Sequence, residues 1–190
     1  MQLRNTAGGY GGLMIGLHWL VAIAVFGLFA SGWWMVDLSY YSQWYNLAPH
    51  LHKSVGLLLI AVMVVRLVWR LVDRKPRALP NHSAVEVVGA KVAHWLLYLG
   101  TFVVLASGYL IPTSGGSSIQ LFNWFEIPSV TGEVKALELV VGDIHYWSAW
   151  ALVVLATGHA LAGLKHHFID RDATLSRIVT TRQAREARSR

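Results

Sequence analysis

The chain reads as an all-α membrane protein, a four-helix transmembrane bundle, and three observations predict this. Of its 190 residues, 55% are hydrophobic and 14% charged, and the mean hydropathy of +0.46 is too high for a typical water-soluble domain. The apolar residues fall into four runs, each near or above the ~20 residues that a helix needs to cross the hydrocarbon core. Basic residues gather in one connection and in the tail, as they do on the cytoplasmic side of membrane proteins. That placement also explains the net charge of +6 without nucleic acid as a partner. Cysteine is absent, which excludes disulfides, thiolate catalysis, iron–sulfur clusters and Cys-based zinc sites. Metal chemistry must therefore use histidine or carboxylate, in a single transmembrane domain over residues 1–190.

The N-terminal stretch MQLRNTAGGYGG carries one arginine. The apolar run behind it is too long for the core of a signal peptide and lacks a cleavage site, so a retained first span is expected. Span one covers about 13–36, is interrupted only by His18, and closes on Trp33 and Trp34 ahead of an aromatic, polar segment suited to the headgroup region. Span two covers about 49–72 and begins at Pro49, whose missing N–H is harmless in a first turn. His50 and His52 stand at its entrance, Arg66 and Arg70 toward its far end, and Arg74, Lys75 and Arg77 in the loop that follows. Ser83 and Glu86 have the spacing of a capping box, which starts span three at about 85–111, with His94 inside it and a stop at Pro112. Residues 113–142 are expected as an outer loop, Gly/Ser-rich and then acidic. Span four, about 143–165, holds His145 and His159 and leads into a basic tail, 168–190. There Asp172 is expected to cap a short amphipathic helix bearing Leu175, Ile178 and Val179. Four spans put both termini on one side, and the basic loop and tail make that side cytoplasmic. No internal repeat stands out.

Histidines are the polar exceptions inside these spans. Fourteen residues at 100° each are close to four whole turns, so His145 and His159 project from one face of span four, about 21 Å apart along the axis. Because neighbouring spans run in opposite directions, His159 comes level with His18 toward the cytoplasm. His52 comes level with His145 on the outer side. One such histidine would serve as readily in a structural interhelical bond, but two pairs at matched depths point to a shared task. Zinc and copper sites draw three or four protein ligands, whereas a bare imidazole pair suits the two axial positions of a six-coordinate haem iron. Such iron has no open position for oxygen, which favours electron transfer over oxygenase chemistry. Gly27, Gly32, Gly56 and Gly158 offer either room for a flat macrocycle or ordinary close helix packing.

Several short words occur in order on these spans: GLHWL at His18, HLHKSVG at His52, HWLLY at His94, DIHYW at His145, and GHALAGLKHHFIDRDATL from His159 onward. From about Tyr10 to Ile178 the chain resembles the bacterial cytochrome b561 family of four-span dihaem membrane proteins. The resemblance implies two haem b groups in the bacterial inner membrane. His18 and His159 would be axial ligands of the inner haem, and His52 and His145 of the outer one. It also implies a membrane quinone such as ubiquinone as redox partner. The best characterised branch is a superoxide:ubiquinone oxidoreductase, from which the longer outer loop of this chain departs.

Around these ligands, Lys53 stands at the outer level as a contact for a propionate or an anionic donor, or as a snorkelling anchor. Arg66 is deep enough to hold a propionate through its planar fork, and Arg70 reads as an anchor. His94 suits a propionate, a quinone or an interhelical bond, and His166 and His167 mark the interface. The function expected is transmembrane electron transfer between a small donor such as superoxide, or a periplasmic carrier, and a quinone in the lipid. A haem-bearing anchor subunit for a partner dehydrogenase is the alternative of similar chemistry, and a histidine-lined metal transporter is the alternative of another class.

Overall fold

Helices that are apolar all round cannot bury themselves against one another in water, and four such helices make up most of this chain. The structure, a computed structural model, describes residues 2–79 and 82–181; the arginine-rich end of the expected tail, 182–190, lies outside the described residues. The long helices are α1 (Gly12–Met35), α2 (Leu47–Val72), α3 (Ala84–Ser114) and α4 (Lys135–Phe168). Each is long and apolar enough to cross a membrane. Their outward side chains are large and greasy, with Ile23 70% and Val154 67% exposed. Such a surface is a liability in water and the normal condition in lipid. The chain is a multi-pass, all-α membrane protein.

Helix ends follow local chemistry. The capping box forms as expected: the Glu86 N–H donates to Ser83 Oγ at 3.3 Å, and Glu86 Oε2 accepts the Ser83 N–H at 2.9 Å. α3 does not stop at Pro112 but runs through it to Ser114. The hydroxyls of Thr113 and Ser114 donate to the carbonyls of Tyr109 at 2.8 Å and Ile111 at 3.3 Å, which keeps the last turn bonded around the missing N–H. α4 begins at Lys135 rather than near 143, so the acidic end of the expected loop is helix. Glu138 in its first turn suits the positive end of the helix dipole.

The remainder of that loop holds an antiparallel hairpin, β1 (Ile119–Leu121) paired with β2 (Phe125–Ile127). Its turn places Phe122 and Asn123 at φ 46° and 60°, and the Trp124 N–H donates to the Leu121 carbonyl at 2.8 Å. Two successive left-handed residues make the turn that matches strand twist. A last short helix, α5, spans Thr174–Val179. Its cap residue is Ala173 rather than Asp172. The Asp172 carboxylate nevertheless accepts the N–H of Thr174, the first residue of α5, at 2.7 Å, from one position before Ala173.

Two compact units divide the chain, and every long helix contributes a segment to each. The first comprises Met1–Ala22, Val62–Leu97 and Val154–Arg190; the second comprises Ile23–Ala61 and Tyr98–Val153. In the first, the buried Asn5 fastens the N-terminal segment to the end of α2. Its backbone N–H donates to Asp73 Oδ2 at 2.9 Å, its amide nitrogen donates to the Arg74 carbonyl at 2.9 Å, and its amide oxygen accepts the Gly11 N–H at 2.8 Å. Trp19 Nε1 holds α5 through the Ile178 carbonyl at 2.9 Å.

In the second unit the fully buried Ser54 clamps the hairpin to α2, donating to the Gln120 carbonyl at 3.3 Å and accepting the Phe122 N–H at 3.1 Å. Ser54→Ala strands both backbone groups and should destabilise the chain by about 1–3 kcal/mol. A lower melting temperature in detergent and faster chymotryptic cleavage near Trp124 are expected; wild-type values for both would show that the clamp is dispensable.

Candidate functional site

In the second unit, α2 carries His52 and α4 carries His145, with ring centroids 6.3 Å apart and planes at 78°. His52, and not its neighbour His50, meets the α4 ring. Both line a cavity of about 480 Å³ with Gly56, Lys53, Phe29 and Trp150 among its walls, a volume inside the range of about 300–1,000 Å³ usual for ligand pockets. The walls are mainly apolar, and the two imidazoles, Lys53, Thr101 and Tyr109 are among its polar groups.

The helices that lack these two histidines hold them in place. Ser31 Oγ on α1 lies within hydrogen-bond reach of both the Leu28 carbonyl, at 3.0 Å, and His52 Nδ1, at 3.1 Å. On α3 the Ser107 hydroxyl is spent on the carbonyls of Val103 at 2.7 Å and Val104 at 3.0 Å. His145 Nδ1 lies 2.9 Å from the Val104 carbonyl and 3.4 Å from Ser107 Oγ. The Val104 carbonyl at His145 Nδ1 places that ring's proton there and leaves Nε2 with its lone pair, the arrangement of metal-ligating imidazoles.

Beside each serine sits a glycine that the ring occupies. A Cβ at Gly32 would stand 3.2 Å from His52 Cε1, and one at Gly108 would stand 2.8 Å from His145 Cε1. Of the other glycines singled out in the sequence, Gly56 lines the cavity, while a Cβ at Gly27 or Gly158 would meet nothing within 4 Å. The sequence does carry a signal for the supporting residues. The word Ala-Ser-Gly occurs at 30–32 and again at 106–108, each time followed by an aromatic residue, and each copy serves one histidine.

In the first unit, His18 of α1 and His159 of α4 have centroids 6.4 Å apart and planes at 72°. His94 of α3 joins them, 5.2 Å from the His159 ring. Arg66 Nη2 lies 3.0 Å from His18 Nδ1. A guanidinium only donates, so His18 Nδ1 accepts and its proton sits on Nε2, the opposite tautomer to His145. His166 does not stand free at an interface: its Nδ1 lies 2.8 Å from Asp170 Oδ2 and 3.3 Å from Asp172 Oδ2.

These donor sets can be tested against a bound metal macrocycle. With metal–imidazole bonds of about 2 Å and each nitrogen about 1 Å from its ring centre, two trans imidazoles have centroids roughly 6 Å apart. The pairs at 6.3 and 6.4 Å fit; His94 and His159 at 5.2 Å are too close to hold a metal between them in that way. The apolar cavity of the second unit and its Nδ1-protonated His145 fit the same group.

A family model described as prokaryotic cytochrome b561 matches residues 9–181. The chain is 45% identical over 179 residues to cytochrome b561 homolog 2 of Escherichia coli (strain K12), an alignment covering 94% of this chain and 95% of the relative. It is 29% identical over 182 residues to the probable superoxide oxidase CybB of Yersinia pestis, covering 90% and 95%. Cytochrome b561 homolog 1 of Escherichia coli (strain K12) is 29% identical over 175 residues, covering 88% and 94%.

Proposed function

The chain belongs to the prokaryotic cytochrome b561 family, and on that premise we propose that it is a dihaem cytochrome carrying single electrons across the bacterial inner membrane. Family membership makes it a membrane haem protein of electron transport. The observation that carries the finer reading is the near-equal spacing of its two imidazole pairs, 6.3 and 6.4 Å. His52 and His145 would ligate the outer haem, and His18 and His159 the inner one. When bound, a b-type haem with two axial imidazoles supplies a reversible one-electron couple without an open coordination position.

Residues of the chain prepare each ligand. The Val104 carbonyl keeps the Nδ1 proton of His145 in place, and Ser31 would hold His52 by the same nitrogen, so both Nε2 atoms would remain available. His18 needs one change before its Nε2 can ligate: its proton must move to Nδ1, and Arg66 must turn away. That turn would free the guanidinium for a propionate. Lys53 lines the outer cavity, a position suited to a propionate or an anionic donor. His94, beside His159, suits a propionate or the quinone.

The basic loop and tail support cytoplasmic termini. A small donor such as superoxide is supported by likeness to the probable superoxide oxidase; a membrane quinone such as ubiquinone would be the acceptor. A periplasmic carrier could deliver the electrons instead. Quinone reduction by the isolated chain, driven by superoxide, tests the route; activity restored only by a partner dehydrogenase would establish the anchor-subunit reading in its place. Nothing in the family likeness supports a metal transporter.

His145→Ala should halve the haem per chain and spare the inner haem, and His159→Ala should do the converse. Loss of the same haem in both variants, read by redox-resolved absorption, would break the pairing. Gly108→Ala drives a methyl into the His145 ring and should lower outer haem content more than Gly32→Ala, while Gly27→Ala, which opens onto free space, should match wild type. Arg66→Gln removes a positive charge beside His18 and should lower the inner haem's midpoint potential by something on the order of tens of mV; an unchanged inner potential would exclude a role for Arg66 in tuning that haem.

A further inference from the structure

Away from both histidine pairs, the first unit gathers a second set of metal-ligating side chains. His82 immediately precedes the capping box of α3, His166 lies in the last turn of α4, and Asp172 lies between α4 and α5. His82 Nε2 stands 2.8 Å from Asp172 Oδ2, and His166 Nδ1 stands 3.3 Å from the same oxygen. All three ligand atoms lie within 4.8 Å of one another. In a tetrahedral zinc site with bonds of about 2.0–2.2 Å, ligand atoms are separated by about 3.3–3.6 Å. Modest side-chain rotations would therefore close this set around one ion. We propose that His82, His166 and Asp172 form a binding site for a divalent transition metal of the Zn²⁺ type.

The surroundings favour a cation. His166 Nδ1 is buried and makes no hydrogen bond, although carboxylate oxygens of Asp170 and Asp172 lie 2.8 and 3.3 Å away. The contacts are close but misdirected for a hydrogen bond, and a cation between the nitrogen and the Asp172 oxygen would satisfy both. The other Asp172 oxygen accepts the Thr174 N–H at 2.7 Å, which orients the carboxylate and leaves Oδ2 facing the histidines. An aspartate carboxyl is ordinarily ionised at neutral pH and able to ligate.

Two imidazoles and one carboxylate suit zinc-like ions; calcium and magnesium prefer shells made of oxygen. Lys165 Nζ already holds Asp170 Oδ2 at 2.7 Å, so the fourth position falls to water. An ion here would tie the segment ahead of α3 to the segment after α4, joining residues about 90 positions apart in the chain.

The test uses the purified full chain in detergent, stripped with EDTA and titrated with Zn²⁺ alone. One tightly held Zn²⁺ per chain is expected by calorimetry and elemental analysis. His82→Gln and Asp172→Asn should each weaken that binding at least about tenfold while the haem absorption stays unchanged. On the unaltered chain, Zn²⁺ should slow diethyl pyrocarbonate modification of His82 and His166, read by mass spectrometry, by about tenfold or more. Absence of stoichiometric uptake, unchanged affinity in both variants, or equal modification rates with and without Zn²⁺ would overturn the site and leave a plain hydrogen-bonded tie between His82 and Asp172.

Discussion

An imidazole inside an apolar bundle has two nitrogens to satisfy and no water to do it, and this constraint shapes the centre of each unit. In the second unit one nitrogen of each ring is turned onto an oxygen of a neighbouring helix: Ser31 Oγ for His52, and the Val104 carbonyl with Ser107 Oγ for His145. On the proposed reading the other nitrogen of each ring would be the one that meets a haem iron. A ring fixed at one end and available at the other is a ligand prepared in advance, and prior ordering of this kind reduces the entropy lost when a cofactor binds.

The two pairs reach similar spacings by different electrostatics. The second unit sets neutral oxygens against its histidines, whereas the first places a guanidinium against His18 and a third ring, His94, against His159. A fixed positive charge stabilises the electron-rich form of any nearby redox centre, and neutral oxygens do so far less. If each pair holds a haem as proposed, Arg66 beside the one and Lys53 beside the other would shift their potentials without any difference in ligand residues.

Much of the architecture was legible in the sequence, because hydropathy and helix direction are long-range signals. Four long helices follow from four apolar runs, and alternating direction already sets His52 level with His145 and His18 level with His159. Short-range chemistry was harder to read. The hairpin strands have three residues each, too few for alternation to register, and the turn Phe122–Asn123 lacks the glycine that usually marks such bends. The start of α4 resembles connection rather than membrane span in the sequence because it carries Glu138. The supporting serines carry no periodic signal, since periodicity identifies faces and not single contacts; only the repeated Ala-Ser-Gly marks them. The joining of His82 to Asp172 had no local signal at all.

Those Ala-Ser-Gly words bear on how this chain can change in length. Within each copy the serine grips one histidine and the adjacent glycine yields space to the same ring, so both depend on a single rotational setting of α1 or α3. One residue inserted between a copy and the helix segment that fixes its orientation turns it by about 100°, swinging serine and gap off the ring together. Substitutions elsewhere on these helices can accumulate singly, but insertions and deletions are confined to the connections. The hairpin segment between α3 and α4 is a place where length can vary without disturbing either copy.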